Sequence, residues 1–133
     1  MNKIAVALIT ASALLSAPAL HARERASGEE KLSKLLEGRE AGEPQSCLPY
    51  GVQDQMQVID KTAIVYGRGN TIWVNRPDNA RDLDRDDILV RKSYTPRMCK
   101  LDMVTTHSRT GYFYTGFIAL NDFVPYRKVA RAD

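Results

Sequence analysis

Hydrophobic and polar positions follow three different rules in succession along the chain. Residues 4–15 read I-A-V-A-L-I-T-A-S-A-L-L, an apolar run broken only by small hydroxyl residues. Around residues 27–38 the apolar positions are Leu32, Leu35 and Leu36, with Lys31, Lys34 and Glu37 between them. That spacing predicts a short amphipathic helix. From Cys47 onward the pattern alternates with period two and is punctuated by Gly, Asn, Asp and Pro, which predicts strands and turns.

The first run follows Met1-Asn2-Lys3 and is followed by the small residues S-A-P-A-L-H-A, residues 16–22. Basic start, apolar middle and small-residue end are the three parts of a secretory signal. Cleavage is expected after Ala22, just before the charged run Arg23-Glu24-Arg25, with Ala19 of Ala17-Pro18-Ala19 as the alternative. The apolar run falls short of the ~20 residues that a bilayer crossing needs. A mature form starting near residue 23 would therefore have no transmembrane anchor and would work in the periplasm or outside the cell.

Residues 23–43 are expected to form a helical N-terminal arm. Ser27-Gly28-Glu29-Glu30 has the form of a capping box, with Ser27 and Glu30 exchanging hydrogen bonds at the helix start. Gly38 follows the last leucine and suits a helix end. Every Glu lies before Pro44 and every acid after it is Asp. Glu suits helices and Asp suits turns and caps, so a structural boundary is expected near Pro44.

The β domain, residues 44–133, is read as about six strands at 55–60, 62–66, 71–75, 88–92, 99–106 and 113–120. Gly67-Arg68-Gly69-Asn70 is a hairpin turn. Pro77 ends the third strand, the Asp-rich stretch 77–87 is a loop with a helical turn, and residues 123–126 cover an edge. The fold class expected is mainly β: a small antiparallel barrel or sandwich preceded by a short helix.

Charge changes this picture little. The chain carries 19 Lys and Arg against 16 Asp and Glu. Loss of Lys3 with the leader leaves a near-balanced domain without the basic stripe that nucleic-acid binding requires. Cys47 and Cys99 are the only cysteines, and in an oxidising compartment they are expected to form one disulfide. Closing a loop of about 50 residues is worth ~4 kcal/mol in the chain-entropy picture. A C-x-x-C redox motif is absent, and Cys99, Leu101 and Met103 are expected to form a core-facing row.

Candidate chemistry is sparse. His107 is the only histidine beyond the leader and lies beside a turn, so a three- or four-ligand zinc site is not expected. Asp82, Asp84 and Asp86 alternate as at the start of a calcium loop. The sixth position, however, is Asp87 instead of Gly, and the twelfth is Ser93 instead of Glu. Trp73 shares a strand face with Thr71 and Asn75. If that face is the less covered one, Trp73, Asn75 and Arg76 form a contact patch of the aromatic and Arg kind that anchors interfaces. No cofactor is expected. Two functional classes follow: a non-enzymatic binding or interaction module, its partner an envelope protein or a small ligand, or a small envelope enzyme using Asp102 or the acidic loop 82–87.

Several short motifs run through the whole mature region: Leu35-x-x-Gly38, Ala41-Gly42-x-Pro44-x-x-Cys47, Ile64-Val65-Tyr66, Val74-Asn75-Arg76-Pro77, Asp87-Ile88-Leu89-Val90, Cys99-x-x-Asp102 and Phe123-Val124-Pro125-Tyr126. In these the chain resembles a family of small exported proteins of sphingomonads and related proteobacteria, a family of unknown function. The resemblance implies a bacterial envelope protein in which the two cysteines recur as a pair. It implies no activity, substrate or catalytic residue.

Overall fold

The computed structural model describes residues 18–130, with side chains from Ser27 onward. The apolar run 4–15, expected to be the middle of a leader, lies outside the described residues. Helix α1 (Pro18–Leu36) leads into strand β1 (Arg39–Ala41). Strands β2 (Met56–Ile59), β3 (Ala63–Tyr66) and β4 (Thr71–Asn75) follow as a meander, then β5 (Asp87–Lys92), β6 (Met103–Ser108) and β7 (Tyr114–Ile118) as a second. Strand β8 (Phe123–Lys128) returns to the first sheet. The sheets are five-stranded, in the order β1-β8-β4-β3-β2, and three-stranded, in the order β5-β6-β7. All pairings are antiparallel. This is an open, sandwich-like arrangement of eight strands, not a closed barrel of six. No helix among the described residues is long and apolar enough to cross a membrane.

The first meander arises where the sequence has period-two strands and tight turns, while β5 and β6 of the second are joined by the longer loop 93–102. Gly67 and Gly69 adopt positive φ of 82° and 77° between β3 and β4, a conformation that costs glycine nothing. The connection from β4 to β5 opens at Pro77 and carries a 3-10 turn, Ala80–Asp82.

Strands β3 and β4 are buried on both faces. On one face Ile64, Tyr66, Trp73 and Phe123 pack with Val104, Ile118 and Leu120 from the smaller sheet and its exit, together with Leu48, Leu83 and Met98. On the other, Ile59, Ala63, Val65, Ile72 and Val74 pack against Leu32, with Leu35, Leu36 and Tyr126 at the margin. Helix, large sheet and small sheet are thus three layers with two apolar seams.

Several expectations change at this level. The arm 23–43 is not separate from the β domain, because β1 within it pairs with β8. Residues 123–126 are not an edge cover: β8 lies between β1 and β4. Its Pro125 is tolerated because the side of β8 that lacks the N–H faces the point where β1 ends. There Gly42 donates to the Pro125 carbonyl (2.7 Å), and ladder pairing resumes only at Gln45 and Phe123. Leu101 and Met103 do not face the core; they are 91% and 61% exposed. Asp102 N–H closes a turn onto the Cys99 carbonyl (3.0 Å), so β6 starts at Met103 and its inward row is Val104 and Thr106.

Ser27 does not cap a helix start, since α1 is continuous from Pro18. Gly28 instead is buried where the helix crosses the β2–β3 turn. A Cβ there would overlap Thr62 Oγ1 and lie 2.8 Å from the Asp60 carbonyl oxygen. Ordinary helical Gly→Ala changes gain about 1 kcal/mol. Here the backbone oxygen cannot yield, so Gly28→Ala is expected to lower stability by about 1–3 kcal/mol, read as a reduced urea midpoint. A midpoint that rises would show that the helix is not seated on this turn.

Candidate functional site

Cys47 and Cys99 form the expected disulfide (S–S 2.02 Å, 52 residues apart in sequence). It sits inside a short antiparallel ladder between the β1–β2 and β5–β6 connections. Leu48 N–H donates to the Met98 carbonyl, and Lys100 N–H to the Ser46 carbonyl, both at 2.8 Å. The bridge therefore ties the connection leaving the large sheet's edge to the loop at one end of the small sheet.

Asp102 is beside this bridge and has little free capacity for chemistry. One carboxylate oxygen accepts from Arg91 Nη1 and from the Cys99 N–H, and the other from Ser93 Oγ, each at 3.0 Å. The same Arg91 nitrogen donates to the Arg97 carbonyl (2.8 Å). The cluster has the makings of a fastening for the 93–102 loop, and Asp102, Arg91 and Ser93 also line a solvent-open hollow at this end of the small sheet.

The acidic loop is spread in space. Asp82 accepts from Asn79 (3.0 Å), Asp84 accepts from the Asp86 N–H (2.8 Å), and Asp87 accepts from Thr115 Oγ1 (2.9 Å). Among the described residues no three His, Cys, Asp or Glu side chains converge on a point that could hold a metal ion. Of the calcium candidates Asp82, Asp84 and Asp86, the first two carboxylates answer local donors, and the three do not converge with one another on a common point. His107 shares a hydrogen bond with Thr105 Oγ1 (3.0 Å) and lies 3.3 Å from the Tyr112 carbonyl. Its ring meets Tyr114 edge-on.

The expected patch of Trp73, Asn75 and Arg76 does not exist as a surface. Trp73 is 7% exposed and Asn75 is fully buried, because the face they share is the seam between the sheets. Asn75 Nδ2 donates to the Asn121 carbonyl (2.6 Å) and Oδ1 accepts the Asn121 N–H (3.1 Å). This stitches the end of β4 to the β7–β8 connection. Arg76 is exposed and forms a two-pronged ion pair with Glu29 of α1 (2.6 and 3.0 Å). The hydrogen bond from Arg76 chiefly holds the Glu29 carboxyl below its ordinary pKa, against the opposing effect of desolvation and with the Arg76 charge as the smallest contribution. Within the core, burial pushes the Tyr66 phenol far above its ordinary pKa, so it stays neutral.

The surface that alternation alone leaves ambiguous is the outer face of the small sheet. Val90, Thr105 and Phe117 are cross-strand neighbours there. Val90, Met103, Tyr114 and Phe117 are all exposed. Tyr112 and Phe113 extend the apolar surface at the β6–β7 turn, where Tyr112 has a positive φ of 55°. At the other end Tyr94 and Leu101 flank a solvent-open hollow of about 730 Å³. The large sheet's outer face has a helix over it; among the described residues this one has no cover. The sequence does carry these aromatics, but period two marks two faces without saying which is covered.

No family model, no curated protein and no solved structure matches this chain. The resemblance to the exported family rests on the sequence motifs alone.

Two measurements test these assignments. Asp102→Ala is expected to cost about 3 kcal/mol, because it strands Arg91 in a mostly buried position; thermal melting reads this, and an unchanged melt would return Asp102 to consideration as a functional acid. Glu29 has a depressed pKa in the folded state. Its contribution is therefore present above the unfolded value of about 4.3 and is lost as pH falls through the lower folded value. Both partners are about half exposed, so the amount is a few tenths of a kcal/mol. The acid-induced drop in melting temperature should shrink slightly in Glu29→Gln, and an identical drop would show that the pair contributes nothing.

Proposed function

We propose that this chain is an exported, non-enzymatic binding module of the bacterial cell envelope, and that it holds a partner protein on the outer face of its small sheet. The observation that carries the reading is the uncovered row of Val90, Met103, Tyr114 and Phe117, continued by Tyr112 and Phe113. Contiguous exposed apolar surface of this kind is uncommon on a monomer and marks contact sites. Aromatics and Met are enriched where proteins meet. A sheet face is open and broad, whereas a small ligand asks for an enclosing pocket, so a protein is the better fit.

The disulfide supports an oxidising compartment, in agreement with the three-part leader pattern of residues 1–22 and with the envelope family the motifs resemble. The alternative, an enzyme using Asp102 or residues 82–87, has less in its favour, since the carboxylates of Asp102, Asp82, Asp84 and Asp87 are engaged in local hydrogen bonds.

The test has two parts. N-terminal sequencing of the protein recovered from the envelope is expected to begin at Arg23 or at Leu20; an intact Met1 would remove the export reading. A photo-crosslinking residue at Phe117 or Tyr114 is expected to yield one discrete envelope-protein adduct in native cells. The same probe at Glu37, exposed on the opposite layer, should yield none. Absence of an adduct from the sheet face, or equal yield at Glu37, would overturn the contact assignment.

A further inference from the structure

The two edges of the small sheet are treated differently. At the β7 edge, Asn79 acts as a one-residue substitute for a strand. Its Nδ2 donates to the Phe117 carbonyl and its Oδ1 accepts the Ala119 N–H, both at 2.8 Å. That edge is closed to further pairing.

The β5 edge carries no such plug among the described residues. The hydrogen-bond phase follows from the neighbouring turn. Ser108 donates to the Phe113 carbonyl (2.9 Å) and accepts from the Tyr112 N–H (2.8 Å), so its backbone groups point toward β7. In an antiparallel ladder successive residues point opposite ways, so Met103, Thr105 and His107 direct theirs to β5. These pair with Lys92, Val90 and Ile88. The backbone groups of Asp87, Leu89 and Arg91 are therefore turned outward; of these, the Asp87 N–H is engaged, by the Asp84 carbonyl (3.2 Å).

We propose that β5 pairs with the β5 of a second copy of this chain, joining two three-stranded sheets into one of six strands across a two-fold axis at Leu89. The occupant is a second copy because the edge complements itself in charge in one register. With Leu89 opposite Leu89, the outward-turned groups of both strands face each other. Asp87 then stands opposite Arg91 of the second copy, and the reverse pair repeats it. Ile88 stands opposite Val90 of the second copy on the outer face. Opposite charges and β-branched pairs are the cross-strand combinations that stabilise a ladder. Registers centred on Asp87 or on Arg91 place like charges opposite each other, and a centre at Val90 or Ile88, which also brings outward-turned groups together, sets Leu89 opposite Arg91 or Asp87 and loses both charge pairs. Arg91 does not obstruct the edge, since its Nη1 is held by Asp102 and the Arg97 carbonyl, while no bond among the described residues uses its Nε or Nη2. Asp87 is bonded at Oδ2 only, to Thr115, leaving its other oxygen for the pair. Joined in this way, the apolar outer faces of the two copies become one surface.

The test is sedimentation equilibrium of the full chain, produced with export so that the disulfide forms, over a broad range of concentration. A monomer–dimer equilibrium is expected, with the dissociation constant of Asp87→Lys raised about tenfold or more as two attractive pairs turn repulsive. A wild type that stays monomeric throughout, or a dimer indifferent to Asp87→Lys, overturns the proposal. Leu89→Cys supplies an independent readout. Facing residues of a hydrogen-bonded pair lie about 5.5 Å apart at Cα, within reach of a disulfide. A covalent dimer is expected on mild oxidation, and its absence counts against the register. Phe117→Ser separates this proposal from the partner-binding reading: it should abolish the envelope adduct while leaving the dimer constant unchanged. Loss of the dimer in Phe117→Ser would place the contact on the face, and the edge proposal would fall.

Discussion

The burial of β3 and β4 on both faces is the constraint from which the rest of this structure follows. Ile64, Tyr66 and Trp73 need a cover on one side, and Ala63, Val65, Ile72 and Val74 need one on the other. The chain answers with one helix and one small sheet. Its only described α-helix lies over the large sheet, and among the described residues no further layer covers the outside of the small one. The apolar surface at Val90, Met103 and Phe117 is thus a result of the layer count among the described residues.

Polar side chains are used mainly to fasten this arrangement. The Asn75 amide binds both backbone groups of Asn121, and Asn121 Nδ2 donates to Asp78 (2.6 Å) and to the Arg76 carbonyl (3.1 Å). Asn79 closes the β7 edge, and Asp102 gathers the loop that carries Cys99. A buried amide or carboxylate must be hydrogen-bonded to be tolerated. Here the partners are backbone groups of the crossovers, so the same bonds that satisfy the side chains set how the two sheets are joined.

The unequal edges extend that logic. A sheet edge offers unpaired donors and acceptors to any strand that fits. An asparagine occupies one edge of the small sheet, while the other presents Leu89 between the oppositely charged Asp87 and Arg91. Both the open edge and the uncovered face belong to the layer that received no helix.

The sequence by itself determined the β class, the strands from residue 56 to residue 92, the glycine turn between β3 and β4, and the cysteine pair, because these rest on local periodicity, φ preference and compartment chemistry. It did not reveal β1 or β8. Three residues at Arg39–Ala41 carry no periodic signal, and Pro125 argues against a central strand until the gap in β1 opposite it is known. It also misplaced Trp73 and Asn75 outside and Leu101 and Met103 inside. Alternation separates two faces but assigns neither to solvent, and a turn at Cys99–Asp102 shifts which residues share a row. Only the tertiary structure decided these points, since cover is supplied by residues far away in sequence: Leu32 on one side of the large sheet, Val104 and Ile118 on the other, and no described residue over Phe117.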